Sequence, residues 1–323
     1  MTVTRDSMAA GLVERLRSGD VRALARAVSL VENGASESSE ILSACFPFTG
    51  HALRIGVTGA PGAGKSTLVD RLARGFREAG KTVGVVAVDP SSPFTGGAIL
   101  GDRIRIREQP DDPGFYVRSM ATRGTLGGLA GTTVDVASVI EASGKELILI
   151  ETVGVGQDEI DIVRLADITL VVLVPGMGDD VQSLKAGVME IADIFVVNKA
   201  DREGAERVEG EIRAMQSFAV AHSEWVAPVV KTVATTGEGM DELAASIAGF
   251  REWLGEEDRM KVRRRARWRD RIAGMVQAEL LRTARRHGLT AADLESAAER
   301  VAQGEEDPWK LVQRLVQKVF RES

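Results

Sequence analysis

Residues 59–66 read Gly-Ala-Pro-Gly-Ala-Gly-Lys-Ser, the spacing G-x-x-x-x-G-K-S, directly after the apolar run RIGVT and before TLVDRLARGF. This combination can hold phosphate. Glycines let successive backbone N–H groups turn inward around an anion, and a helix N-terminus adds the positive end of its dipole. Lys65 is placed to bridge β- and γ-phosphate oxygens, and the Ser66 hydroxyl to meet a divalent cation. Gly59, Ala60, Pro61, Gly62, Ala63, Gly64, Lys65, Ser66 and Thr67 are therefore the expected phosphate-binding loop of a nucleoside triphosphate site.

Asn198-Lys199-Ala200-Asp201 follows the apolar run DIFVV and addresses the base. A carboxylate at Asp201 can accept from guanine N1–H and the 2-amino group, whereas adenine offers a lone pair at N1 and no 2-amino group. A site built to bond a group rejects the analogue that lacks it. Lys199 is expected over the base plane, and Asn198 is expected to tie this segment to neighbouring loops. Further on, Val233-Ala234-Thr235-Thr236-Gly237 is a weaker candidate, with the Ala234 N–H facing guanine O6. GTP or GDP is the expected nucleotide.

Mg²⁺ takes an octahedral oxygen shell made of one or two protein ligands, phosphates and water. Ser66 is one expected ligand, and Asp89, Asp102 and Glu151, each at a strand end or in a loop, are the candidate carboxylates. Lys65, Glu151 and Asp102 are expected to carry the phosphoryl chemistry. Glu151-Thr152-Val153-Gly154 looks like the D-x-x-G motif of G proteins with Glu for Asp, and its Gly154 N–H can sense a γ-phosphate. Val155 stands where many regulatory GTPases have the Gln that orients attacking water. Gln157, a residue from elsewhere or, at lower weight, Asp158 must substitute, so slow hydrolysis accelerated by a partner is expected. Pro175 to Lys185 forms a second loop in which Asp180 and Lys185 can close over nucleotide or partner. Arg118, Arg123 and the glycine-rich stretch 124–131 form another candidate contact loop.

Such residues need strands to present them. Short apolar runs begin at Arg54, Thr82, Glu146, Ile168, Asp193 and Pro228, alternating with helical stretches, which is the rhythm of βα units around a mostly parallel sheet. Ligands in such sheets sit at the C-terminal strand ends. Before this region, residues 8–48 carry Leu12, Leu16, Leu24 and Val28 at helical spacing, broken at Gly19-Asp20 and over 33–40. After Gly255 the chain turns basic, with Arg259, Lys261, Arg263, Arg264, Arg265, Arg267, Arg269 and Arg271, and then helical to the end. The expected fold class is α/β, a P-loop NTPase with helices flanking the central sheet, plus helical extensions. The expected divisions are 1–48, 49–255 and 256–323, the first and last of them helical extensions.

Composition removes several classes. Apolar residues at 44% and charged residues at 27% fit a folded chain of 323 residues, not a disordered one. The single cysteine, Cys45, allows no intrachain disulfide, and the net charge of −6 argues against nucleic acid as a partner. No apolar run reaches the roughly 18–20 residues of a membrane helix, and the first ten residues lack a signal-peptide pattern, so the cytoplasm is expected and a membrane is not.

The ordered set GAPGAGKST, VDPSSPFTGGAILGDR, ETVGVGQ, PGMGDDVQSLKAG and NKAD resembles the MeaB-type G proteins, also called ArgK, of the metallochaperone GTPases, over essentially the whole chain. The resemblance implies a homodimeric GTPase chaperone of an adenosylcobalamin-dependent acyl-CoA mutase, most often methylmalonyl-CoA mutase, that gates cofactor delivery and removes damaged cofactor. It also makes an adenosyltransferase a further candidate partner. It implies that Ser66, Asp89, Asp102 and Glu151 surround Mg²⁺ and phosphate, and that Asp180 and Lys185 pass nucleotide state to the mutase. The ArgK name brings a second reading, a kinase acting on a protein or small substrate, for which the sequence shows no evident base. Targeting GTPases of the signal-recognition type share the fold but need a Met-rich domain, and nine methionines here do not supply one. His51, His222 and His287 lie far apart in sequence and make no nickel tract.

Overall fold

The computed structural model describes residues 5–89, 112–121, 128–152, 158–176, 190–219, 224–286 and 289–321. The chain divides into two compact units, residues 1–261 and 262–323.

The first unit is built on seven parallel strands: β1 (Leu53–Gly59), β2 (Val83–Asp89), β3 (Phe115–Ala121), β4 (Leu147–Glu151), β5 (Ile168–Leu173), β6 (Ile194–Asn198) and β7 (Val229–Thr232), in the order β3-β2-β4-β1-β5-β6-β7. β4 (LILIE) and β5 (ITLVVL) are buried at every residue, as strands covered on both faces must be. From β1 the chain moves out to β2 and β3, returns at β4 beside β1, and then fills the other side from β5 onward. That reversal leaves the end of β1 between the ends of β4 and β5, where ligands of such sheets bind. Register makes this concrete, because Val57 faces Glu151 on β4 and Gly59 faces Val172 on β5.

One face of the sheet packs Ile55, Val57, Leu149, Leu170 and Val196 against Leu68, Val69 and Leu72 of α4 (Lys65–Glu78) and Leu243, Ile247 and Phe250 of α8 (Met240–Gly255). The opposite face packs against α5 (Gly128–Ala142), α6 (Asp158–Leu165) and the N-terminal helices α1 (Arg5–Arg17), α2 (Val21–Glu32) and α3 (Ser38–Cys45). These N-terminal helices share a core with Ile148, Ile150, Val136 and Ile140, so they are layers of the first unit and do not stand apart from it. Asp20 caps α2, its Oδ1 accepting from the N–H groups of Arg22 and Ala23 at 2.9 and 3.0 Å. α2 then buries Ala23, Leu24, Ala27, Val28 and Val31, one face of a helix. Helix α7 (Ala205–Ala219) follows β6.

The strand β3 differs from expectation. Its sequence FYVRSMA reads as neither a continuous apolar run nor a turn, and Arg118 was expected in a contact loop. Instead Arg118 lies inside this edge strand, and its guanidinium pairs with Glu32 of α2, Nε to Oε2 at 2.8 Å. An edge strand has one neighbour and half-covered faces, so it tolerates Tyr, Arg and Ser where β4 and β5 do not.

The second unit takes in most of α9 (Arg259–Arg286), with α10 (Ala291–Ala302) and α11 (Pro308–Arg321). Thr290 opens α10 with a capping box: its hydroxyl accepts from Asp293 N–H at 3.1 Å while Asp293 accepts from Thr290 N–H at 2.8 Å. Ala297 and Leu311 are its buried apolar residues among those described. Across the described residues no helix is long and apolar enough to cross a membrane.

Candidate functional site

Three glycines of the loop between β1 and α4, Gly59, Gly62 and Gly64, have positive φ, and two of them also meet close neighbours. Gly59 has φ +141°, and a Cβ there would lie 2.1 Å from the Val172 carbonyl oxygen. Gly64, with φ +87°, would put a Cβ 2.5 Å from Asn198 Nδ2. Side chains at either position would push the loop off the sheet and off Asn198.

Lys65 and Ser66 open α4, so its N-terminal N–H groups and two functional side chains share one place. The buried Lys65 ammonium donates to the carbonyls of Gly59 at 2.8 Å and Ala60 at 3.0 Å, which holds it within the loop. The Ser66 hydroxyl donates to Glu151 Oε1 at 2.5 Å. Glu151 is buried at the end of β4. Next to it, Thr152 Oγ1 donates to Thr58 Oγ1 at 3.0 Å and Thr152 N–H to Val57 O at 3.1 Å, which fastens the end of β4 to the strand that enters the phosphate loop. Asp89 ends β2, two residues beyond Ala87, the register partner of Glu151. A hydroxyl and a carboxylate in contact, with a second acid on the neighbouring strand end, are hard oxygen donors of the kind that Mg²⁺ takes.

The Asn198-Lys199-Ala200-Asp201 segment meets the loop through Asn198. Strands β6 and β7 put Asn198 in register with Thr232. Asn198 is 2% exposed, and its Nδ2 donates to Ala63 O at 2.8 Å. Its Oδ1 accepts from Thr232 Oγ1 and from Ala234 N–H, both at 3.2 Å. One side chain thus joins the phosphate loop to the turn after β7. Lys199, at φ +58°, sends its Nζ to Gly62 O at 2.7 Å, and Ala200 N–H donates to Thr232 O at 3.0 Å. Asp201 follows, exposed. The Ala234 N–H, expected to face a base, here donates to Asn198.

Asp102, Gly154, Val155, Gln157, Asp180, Lys185 and Arg123 lie outside the described residues, as do most of VDPSSPFTGGAILGDR and PGMGDDVQSLKAG. Of Asp158 the backbone is described, at the start of α6. Three contributors escaped the sequence reading: Thr58 and Thr152, which look like ordinary strand residues, and Arg71 of α4, whose Nη2 donates to Thr235 O at 2.8 Å. Thr152 fills an unspecified position of the Glu151–Gly154 motif, and no motif assigns a role to Thr58 or Arg71. They act on backbone or on each other, contacts that only the fold creates.

A seven-stranded parallel sheet, a phosphate loop at the sheet's reversal and an Asn-Lys-x-Asp segment two strands away define a P-loop nucleoside triphosphatase. The match to known proteins is more specific. Residues 24–288 match the family described as methylmalonyl Co-A mutase-associated GTPase MeaB, and the chain belongs to that family. A Pyrococcus abyssi protein with a provisional GTPase designation is 46% identical over 320 residues, covering 96% of each chain. The Mus musculus methylmalonic aciduria type A homolog, mitochondrial, is 31% identical over 300 residues, covering 85% of this chain and 72% of its own. A crystal structure of a LAO/AO transport system kinase superposes with a TM-score of 0.73 at 25% identity, covering 98% of each chain.

Proposed function

We propose that this protein is a Mg²⁺-dependent GTP hydrolase that serves an adenosylcobalamin-dependent acyl-CoA mutase, by its family methylmalonyl-CoA mutase, gating cofactor loading and protecting or reactivating the enzyme. The observation that carries the nucleotide half is the Asn198 side chain, which bonds the phosphate loop at Ala63 and the base-side turn at Ala234 together. The mutase half rests on the family's description and on the name of the mouse relative.

In this reading Lys65 exchanges its two carbonyl partners for β- and γ-phosphate oxygens, and the loop N–H groups hold the β-phosphate. Asp201 accepts from the guanine edge, Lys199 covers the ring, and Ala234 shares its N–H between Asn198 and O6. Ser66 and Glu151, with Asp89 and Asp102, would hold Mg²⁺, which neutralises charge developing on the phosphates. Gly154 senses the γ-phosphate, and Asp180 and Lys185 report nucleotide state to the mutase. With Val155 in place of a water-orienting Gln, turnover by the protein alone is slow. The C-terminal unit serves homodimerisation, the protein works in the cytoplasm, and an adenosyltransferase is the further partner.

The kinase name of the superposable structure favours a second reading, transfer of the γ-phosphoryl group to an acceptor other than water. One experiment separates the two. GTP turnover is measured with Mg²⁺, alone and with active methylmalonyl-CoA mutase, with ATP as control. Slow release of inorganic phosphate from GTP, stimulated by mutase, with ATP ignored, supports the chaperone reading. Equal ATP turnover, or phosphate found on an acceptor, overturns it.

A further inference from the structure

The turn after β7 is a small closed body. Val233 N–H donates to Glu238 O at 3.0 Å, Gly237 N–H to Val233 O at 2.9 Å, and Thr236 N–H to Val233 O at 3.0 Å. A segment bonded to itself in this way shifts as a unit, so its position is set by whatever holds it from outside.

Two side chains hold it. Asn198 takes the Ala234 N–H and the Thr232 hydroxyl. Arg71 takes the two carbonyls that follow: its Nε donates to Ala234 O at 3.3 Å and its Nη2 to Thr235 O at 2.8 Å. Arginine offers a planar fork of donors with a fixed spacing, suited to two adjacent acceptors. The acids nearby do not compete for it. Asp70, next to it on α4, pairs with Arg74 at 3.1 Å, and among the described residues no carboxylate lies within ion-pair distance of Arg71. Its charge is directed at main chain.

Arg71 stands on the helix that begins with Lys65 and Ser66, six residues or about 9 Å further along its axis. A single rigid rod therefore carries the phosphate-side residues at one end and a grip on the base-side turn further along.

We propose that Arg71 is a positioning residue for base selection: by holding the Ala234 and Thr235 carbonyls it sets the 233–238 turn at the distance from the phosphate loop that a guanine requires. The proposal deepens the guanine assignment above and rests on it. A merely structural arginine would weaken all nucleotides alike, whereas a positioning one weakens the purine it positions against.

Affinities of the full chain for fluorescent mant-GDP and mant-ADP are measured for wild type, Arg71→Ala and Arg71→Lys, with Asp201→Asn and mant-XDP as the control on the assignment. Arg71→Ala is expected to weaken mant-GDP about tenfold, the loss of about one charge-assisted hydrogen bond, while mant-ADP stays within about twofold. Arg71→Lys, which reaches one carbonyl, falls between. Parallel weakening of both nucleotides overturns the proposal, as does unchanged mant-GDP affinity in a background where Asp201→Asn moves preference to mant-XDP. Should Asp201→Asn leave the preference for mant-GDP intact, the guanine assignment falls and this proposal with it. If Arg71→Ala does not fold, Arg71→Gln, which keeps an amide donor, is judged by the same ratio.

Discussion

The Ser66 hydroxyl and the Glu151 carboxylate meet at 2.5 Å, one from the first turn of α4 and the other from the last residue of β4. They are 85 residues apart in the chain. Their contact depends on β4 lying directly beside β1, so that the end of one strand faces the loop that leaves the other.

This pairing predicts how each residue fails. Ser66→Ala removes the hydroxyl and is expected to lower Mg²⁺-dependent GTP turnover by about 10²-fold or more. Glu151→Gln keeps an oxygen that accepts from Ser66 and removes only the charge, so the fold should melt within about 1 kcal/mol of wild type while turnover drops on a similar scale. The check is turnover across a Mg²⁺ titration beside a melting curve. Full activity in Glu151→Gln would remove Glu151 from the proposed metal set.

Asn198 has three partners and almost no exposure. Asn198→Ala leaves the Ala63 carbonyl, the Thr232 hydroxyl and the Ala234 N–H without it, and unmade buried bonds cost about 1–3 kcal/mol each, not additively. A loss of about 2–4 kcal/mol in denaturant unfolding is expected. Asn198→Asp is the sharper test. It retains an acceptor for Thr232 and Ala234 but sets a carboxylate against the Ala63 carbonyl, so at neutral pH it should be no more stable than the alanine variant. A near-wild-type aspartate variant would show that the Ala63 contact carries no weight.

The sequence made the sheet centre legible and the edge obscure. β4, β5 and β6 are covered on both faces and therefore written almost wholly in apolar residues, whereas β3 is an edge strand whose Arg118 answers to Glu32, a residue 86 positions earlier. Leu16, Leu24 and Val28 announce amphipathic helices, but no pattern in them says that their apolar face meets α5 and not a partner. At the site, the phosphate loop is legible because its chemistry is local: consecutive N–H groups and two side chains in a row. Arg71 and the Thr58–Thr152 pair are not, since each works through a contact made by strand order.

Asp201 is exposed three residues past the end of β6, and in the proposed guanine site its carboxylate is the acceptor for two donors of the base. Asp201→Asn supplies an amide, which can donate to the 2-carbonyl of xanthine. GTP affinity is expected to fall by roughly 10²-fold or more, and XTP affinity to rise above it. Competition titration with both nucleotides tests this. A variant that keeps its GTP preference would place base recognition elsewhere.

The edge of the sheet away from the nucleotide loop carries a pH signature. Asp112 Oδ2 accepts from Arg77 Nε at 2.6 Å and Oδ1 from Arg77 Nη2 at 2.8 Å, with Gly114 N–H on Oδ1 at 2.9 Å. The Arg77 hydrogen bond, above all, holds the Asp112 carboxyl below its ordinary value of 3.8, and the same bond raises Arg77. A carboxylate whose folded pKa is depressed contributes stability that is complete above the unfolded value and disappears as pH falls through the folded one. The melting-temperature gap between wild type and Asp112→Asn should therefore stay constant from neutral pH down to about pH 5 and close below the ordinary carboxylate range. Glu146, lowered chiefly by its bond to Lys81, titrates with the same sign in both proteins and cancels in the difference. A gap that stays unchanged as pH falls through the carboxylate range would mean that Asp112 gains nothing from Arg77.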